Sequence, residues 1–163
     1  MDERDLQLME ESINYEAMNE IHFYNCERKL EMLFSDFQVQ KNAPEFHDFY
    51  SFQIDVKHCY VSASLRTECL DVDLMRFLEG LRKLYRMEVR TASFVQTIER
   101  NIELTFKLLE QGKIQVYVMI MGAYMKDYYD DLTLKLNYGI DQSFLPELIQ
   151  EIETVMDEKG VTE

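Results

Sequence analysis

Residues 102–120, IELTFKLLEQGKIQVYVMI, contain two alternating segments that meet at a glycine. From Ile102 to Leu108, an apolar residue at every second position alternates with Glu, Thr and Lys, and the segment from Ile114 to Ile120 repeats this alternation. A period of two is typical of a strand with one buried face. Because Gly112 tolerates a positive φ, the intervening Gln-Gly-Lys predicts a hairpin turn between antiparallel strands.

Further strand-like segments lie on both sides of this hairpin, and they share alternation or a high content of aromatic and β-branched residues. These segments are 21–24, 30–39, 52–56, 61–65, 94–98 and 132–138. Their sequential order favours hairpin connections, and hence an antiparallel rather than a parallel sheet.

Two segments change to the helical period. Apolar residues recur at 74, 77, 78, 81, 84 and 85, and the same spacing recurs at 145, 148, 149, 152, 155 and 156. Each set forms one apolar stripe. Asp71 can cap the first helix, and Ser143 or Asp141 the second. We therefore predict an α+β fold, with a curved antiparallel sheet of about six to eight strands and two amphipathic helices packed on it.

The chain length favours one domain. With 163 residues, of which 47% are hydrophobic, the chain can bury a substantial core. We assign residues 21–163 to a single α+β domain. Residues 1–20 form an acidic lead-in with a thin apolar stripe, so an N-terminal arm and a short helix both remain open.

The net charge excludes several partner classes. A formal charge of -14 argues against unaided nucleic-acid binding and against docking on anionic membranes, since both surfaces are polyanionic. The acidic start lacks the features of a secretory signal, and no segment has the length of a membrane span. Three cysteines without paired spacing fit a reduced cytoplasmic protein.

No sequence motif indicates catalysis or metal binding. Walker A, GxGxxG, GxSxG and HExxH patterns are absent from the sequence. His58 and Cys59 are adjacent, so on a strand their side chains would point to opposite faces and would not readily share a metal. We therefore expect a protein that is not an enzyme, with no catalytic residue, cofactor or metal. A small enzyme with an unrecognised site remains the weaker alternative.

The charge excess is unevenly distributed along the chain. Residues 1–20 carry seven acidic residues and one basic residue, as do residues 141–163, whereas residues 126–131 carry three and one. These segments account for the whole excess. Two interpretations remain open: acidic segments can simply keep the protein soluble, or they can form a docking face for a basic partner, since opposite charges accelerate encounter.

The segment 124–131, YMKDYYDD, is unusual for a connector between strands. Tyrosine provides large contact area at low entropic cost, and adjacent carboxylates can bind Arg or Lys of a partner. The alternative is a long hairpin whose tyrosines fold back on the sheet. The candidate partner-binding residues are Tyr124, Asp127, Tyr128, Tyr129, Asp130 and Asp131.

The order of segments resembles a known family. Residues 74–84, LMRFLEGLRKL, precede 98–106, IERNIELTF, a hairpin at Gly112, and 141–145, DQSFL, which opens the last helix. This order, over roughly residues 50–157, resembles the WapI-type immunity proteins. That resemblance implies a small bacterial cytoplasmic protein without catalytic residues, which neutralises the toxic C-terminal domain of a cell-surface polymorphic toxin.

Toxins of this kind are often nucleases with basic clefts, which an acidic inhibitor can occupy in place of a polyanionic substrate. The resemblance thus implies a cognate toxin domain, or another basic protein, as the partner. A general protein-interaction module using the same sheet and loop remains the alternative. An exposed strand edge can also pair with a second copy.

Overall fold

The computed structural model of the chain describes residues 19–122 and 132–158. The strands are β1 (Ile21–Tyr24), β2 (Leu30–Gln40), β3 (Phe49–His58), β4 (Val61–Leu70), β5 (Thr91–Val95), β6 (Ile102–Leu108), β7 (Lys113–Gly122) and β8 (Leu132–Asp141). The helices are α1 (Asp71–Tyr85) and α2 (Leu145–Glu158), with short 3-10 turns at Glu110–Gly112 and Gln142–Phe144.

The α+β class is confirmed, and the described residues contain eight strands and two helices, in agreement with the predicted six to eight strands and two helices. The strands form two four-stranded antiparallel sheets, β1-β2-β3-β4 and β5-β6-β7-β8, rather than the one sheet in which we expected them. The division falls where α1 connects β4 to β5, because a helix moves the chain away from the edge of the first sheet. The prediction of a single domain at residues 21–163 stays a prediction, and residues 1–18 lie outside the described part.

The described chain consists of two halves with the same element order. We call β1–β4 with α1 the first half and β5–β8 with α2 the second half. One shift in sequence relates the end of the first half to the end of the second: Val61 corresponds to Leu132. The same shift superposes the apolar spacing of the helices, so that Leu74 corresponds to Leu145 and Leu84 to Val155.

The helices are exchanged between the halves. Helix α1 packs on β5 of the second half, whereas α2 packs on β1 of the first. Gly80 lets α1 approach closely, because a Cβ at this position would lie 3.2 Å from the Cβ of Ala92 on β5. Neither half therefore buries the apolar stripe of its own helix against its own first strand.

A shared aromatic cluster joins the two halves. Phe94 of β5 is fully buried. Its ring centroid lies 6.0 Å from that of Phe34 and 6.5 Å from that of Phe52, both in the first sheet, and 5.7 Å from that of Phe77 on α1. Aromatic pairs at these distances add to the free energy of burial. The buried apolar residues of both sheets and both helices form one contiguous cluster.

Three local features differ from the sequence prediction. Two carboxylates, rather than Asp71 alone, cap α1: Asp71 accepts a hydrogen bond from the backbone N–H of Val72 at 2.6 Å, and Asp73 accepts one from the backbone N–H of Leu70 at 3.0 Å. Strand β5 ends at Val95, because the next residues form a loop around the side chain of Gln96. The predicted apolar stripe of α1 is buried except at Tyr85, which lies at the exposed end of the helix.

Candidate partner-binding face

The predicted contact residues lie in the connection between β7 and β8. Tyr124, Asp127, Tyr128, Tyr129, Asp130 and Asp131 all lie outside the described residues, which stop at Gly122 and resume at Leu132. The corresponding connection of the first half, between β3 and β4, consists of Cys59 and Tyr60 alone. Cys59 adopts a positive φ of 54°, and the side chain of Tyr60 is fully exposed.

The start of the described chain lies against the last helix through His22. The Nδ1 of His22 is 2.6 Å from Oε2 of Glu151, and the backbone N–H of His22 donates to Oε1 of the same carboxylate at 3.1 Å. The other ring nitrogen is 3.2 Å from Oε2 of Glu20. Burial raises the pKa of Glu151, and its bonds with His22 oppose that rise. Residues from both acidic ends of the sequence therefore meet at one imidazole.

A second ion pair lies beside this contact. Arg28 Nη1 is 3.3 Å from Oε2 of Glu147, and the guanidinium carbon lies 4.2 Å from the ring centroid of Phe144. Burial, followed by the charges of Glu151 and Glu147, raises the pKa of Tyr24. These contacts hold the turn after β1 against the beginning of α2.

The acidic residues of α2 are largely paired within the chain. Besides the carboxylates that contact His22 and Arg28, Glu153 accepts a hydrogen bond from Arg82 of α1 at 2.8 Å. The sequence count of residues 141–163 therefore overstates the free negative charge of this helix. Pairing of this kind cannot be read from sequence, since Arg28, Arg82 and the helix are far apart along the chain.

At the second histidine site, His58 at the end of β3 contacts a buried carboxylate. His58 Nδ1 is 2.6 Å from Oε2 of Glu31, whose Oε1 accepts a bond from Asn25 at 2.8 Å. The exposed Cys26 and Cys59 line the same open depression. Within the described ranges, no thiol hydrogen-bonds to His58, and no cluster of His, Cys, Asp and Glu has the arrangement of a metal site. A cysteine nucleophile would need such a base.

The cavity beside His22 is too small for a substrate. It has a volume of about 20 Å³ and is lined by His22, Tyr24, Arg28, Phe144 and Glu151, among others. This volume accommodates about one water molecule.

Among the described helices, none combines the length and the apolar character needed to cross a membrane.

Comparison with known proteins identifies a family. No curated protein matches the sequence. Among solved structures, the chain is similar to one described as crystal structures of Trypanosoma bruciei MRP1/MRP2, with a TM-score of 0.42 and 12% identity over 88% of this chain and 86% of that chain. Residues 25–159 match the model of the immunity protein WapI-like family, which is most of the chain. The resemblance inferred from the sequence is thereby confirmed, and this chain belongs to the WapI-like immunity protein family.

Proposed function

We propose that this protein binds and neutralises the toxic domain of a cognate bacterial toxin in the cytoplasm, through an acidic, tyrosine-rich surface. Membership of an immunity-protein family agrees with the prediction of a protein that is not an enzyme. The proposed contacts are Tyr124, Asp127, Tyr128, Tyr129, Asp130 and Asp131.

This proposal rests on a comparison of the β3–β4 hairpin with the β7–β8 hairpin. In the first half, Cys59 and Tyr60 connect the third and fourth strands. In the second half, the corresponding connection consists of residues 123–131. A fold of this topology therefore closes without the longer segment. Three tyrosines and three aspartates lie in that segment, and both residue types suit a protein interface with a basic partner.

The charges favour a partner with a basic cleft, such as a nuclease. Three acidic residues of α2 are paired with His22, Arg28 and Arg82, so we assign the main attraction to residues 1–18 and 127–131. Carboxylates on an inhibitor can take the place of the phosphates that such a cleft binds. Long-range attraction of this kind weakens with salt.

The test is the affinity of the purified chain for the toxin domain encoded beside it. We expect an equimolar complex that abolishes toxin activity, with an affinity that falls as NaCl rises from about 50 mM to about 500 mM. The triple variant Asp127→Asn/Asp130→Asn/Asp131→Asn should weaken binding at least about tenfold, mainly through a slower association rate. Tyr124→Ala/Tyr128→Ala/Tyr129→Ala should weaken it at least as much, through faster dissociation.

A matched control removes the same number of carboxylates elsewhere. Glu45→Gln/Glu88→Gln/Glu110→Gln changes the net charge equally at three exposed positions. If this control weakens binding as much as the aspartate triple variant, net charge rather than the proposed surface governs affinity. A tight complex that is indifferent to salt and to both triple variants would refute the proposed surface.

A further inference from the structure

The outer edge of strand β4 is only partly covered by the described chain. Among residues 19–122 and 132–158, β4 pairs with β3 alone, over its whole length. Its last residues are covered by the loop after β5, where the side-chain amide of Gln96 donates to the carbonyl oxygen of Glu68 at 2.7 Å. In residues 61–66, no backbone group bonds to a further strand of the described chain. An uncovered strand edge is a template for pairing with another strand.

The corresponding edge of the second half differs in charge. The corresponding loop of the first half, after β1, covers the end of β8, where the backbone N–H of Cys26 donates to the carbonyl oxygen of Gly139 at 2.9 Å. Lys135 then lies in the uncovered part of β8, at the position that Ser64 occupies in β4. A lysine on an edge strand disfavours pairing with other strands. Residues 61–65 of β4, VSASL, contain no charge and no proline.

The core-facing row of this edge is also incompletely covered. Val61 is 46% exposed, and Ala63 and Leu65 are only half-buried. If a two-fold axis passes through Ser64, an antiparallel copy places its Leu65 opposite Ala63 and its Arg66 opposite Ser62. Such pairing brings the apolar rows together and opposes no like charges, whereas the corresponding axis in β8 would place two Lys135 side chains opposite each other.

We propose that residues 62–66 of β4 pair antiparallel with the same segment of a second copy of this chain, joining their first sheets edge to edge. Because β4 has Ser64 where β8 has Lys135, two copies of the chain can pair through β4 more favourably than through β8. A five-residue strand spans only about 17 Å. The resulting interface is small, so the dimer is weak and forms in a concentration-dependent manner.

Sedimentation velocity of the full chain between about 1 µM and about 1 mM tests this proposal. We expect a reversible shift from monomer to dimer in this range. Ser64→Lys gives β4 the residue that β8 already has, and its ammonium lies opposite Asp55 in the register of β3 and β4. This variant, and Ser62→Lys, should remain monomeric at the highest concentration, with circular dichroism spectra like the wild type.

The control is Thr133→Lys, which adds the same charge at the position of β8 that corresponds to Ser62. It should dimerise like the wild type. Hydrogen exchange of the full chain provides a second readout, because dimerisation should protect the amides of residues 62–66 more as concentration rises.

Three results would overturn the proposal. The first is a wild-type chain that remains monomeric at the highest concentration. The second is a dimer that Ser64→Lys and Ser62→Lys leave intact. The third is amide protection in residues 62–66 that does not change with concentration, since this would assign the edge to another segment of the same chain.

Discussion

The two halves of the molecule share their framework and differ at three positions. Both consist of four antiparallel strands followed by a helix, and in both the loop after the first strand covers the fourth strand of the other half. They differ in the connection between the third and fourth strands, in the charge at the fourth-strand edge, and in the helix contact at Gly80 and Glu151. A feature that one half lacks is not required to complete this topology.

The loops after the first strands show how one framework uses different polar contacts. In the second half, the Gln96 side chain is almost completely buried, accepts from the N–H groups of Asn101 and Ile102, and donates to Thr67 and Glu68. In the first half, the corresponding residue is Asn25, which accepts from two loop N–H groups and donates to Glu31. An amide organises both loops because it can donate and accept at once.

The helices differ in the same way. Where α1 has Gly80 and lies close to Ala92, α2 has Glu151 and binds His22. The first contact relies on close packing, the second on a partly buried hydrogen-bonded carboxylate. The comparison indicates that this helix position does not need a carboxylate, and that the charged contact of α2 adds a dependence on pH.

The largest expected effect tests whether the halves fold as one unit. Phe94→Ala removes a fully buried ring that contacts both sheets and α1, so we expect a loss of about 3–5 kcal/mol in the free energy of unfolding. Urea denaturation followed by circular dichroism and tyrosine fluorescence should show a single transition. Val95→Ala, at a neighbouring position that is 44% exposed, should cost no more than about 0.5 kcal/mol. Two separate transitions would show that the halves unfold independently.

An intermediate effect separates the two loops. Gln96→Ala leaves buried N–H and carbonyl groups without partners, so we expect a loss of about 2–3 kcal/mol in the free energy of unfolding. Asn25→Ala acts in a more exposed loop and should cost about 1 kcal/mol. Chemical denaturation of both variants measures the difference. Equal costs would mean that burial of the amide does not distinguish the loops.

The smallest effect concerns the pH dependence of the contact between Glu151 and His22. Because the folded-state pKa of Glu151 is raised above its ordinary value of 4.5, the folded chain binds the proton more tightly than the unfolded chain. That contribution to stability is present below pH 4.5 and is lost as pH rises through the raised pKa. Relative to Glu151→Gln, the wild type should therefore become less stable across this range.

Urea denaturation of both proteins at a series of pH values measures this difference. Glu110→Gln controls for the loss of one exposed carboxylate. A wild type that instead gains stability over Glu151→Gln with rising pH would show that the bond to His22 outweighs the burial of the carboxylate.

Much of the fold could be predicted because its signals are local. Alternation located the hairpin of β6 and β7, and the helical spacing located α1 and α2. The end of β5 was missed, because Ile98 extends the apolar character while Gln96, six residues before its partner Ile102, turns the chain into a loop. The paired state of Glu153 was equally inaccessible, since its partner Arg82 lies on another helix. For the candidate site, the sequence indicated tyrosines and aspartates in the connection after β7, and this stays a prediction. The sequence also indicated the family, which the comparison confirmed.

The sequence alone determined the periods of two and 3.6, the buried face of each element and the total charge, because these depend on residues close together in the chain. Only the tertiary structure decided that the strands divide into two sheets, that each helix packs on the other half, and which carboxylates meet a basic side chain. These outcomes depend on which surfaces meet across long sequence separations. Similar local patterns in the two halves are compatible with several such arrangements, and packing of the shared core selects among them.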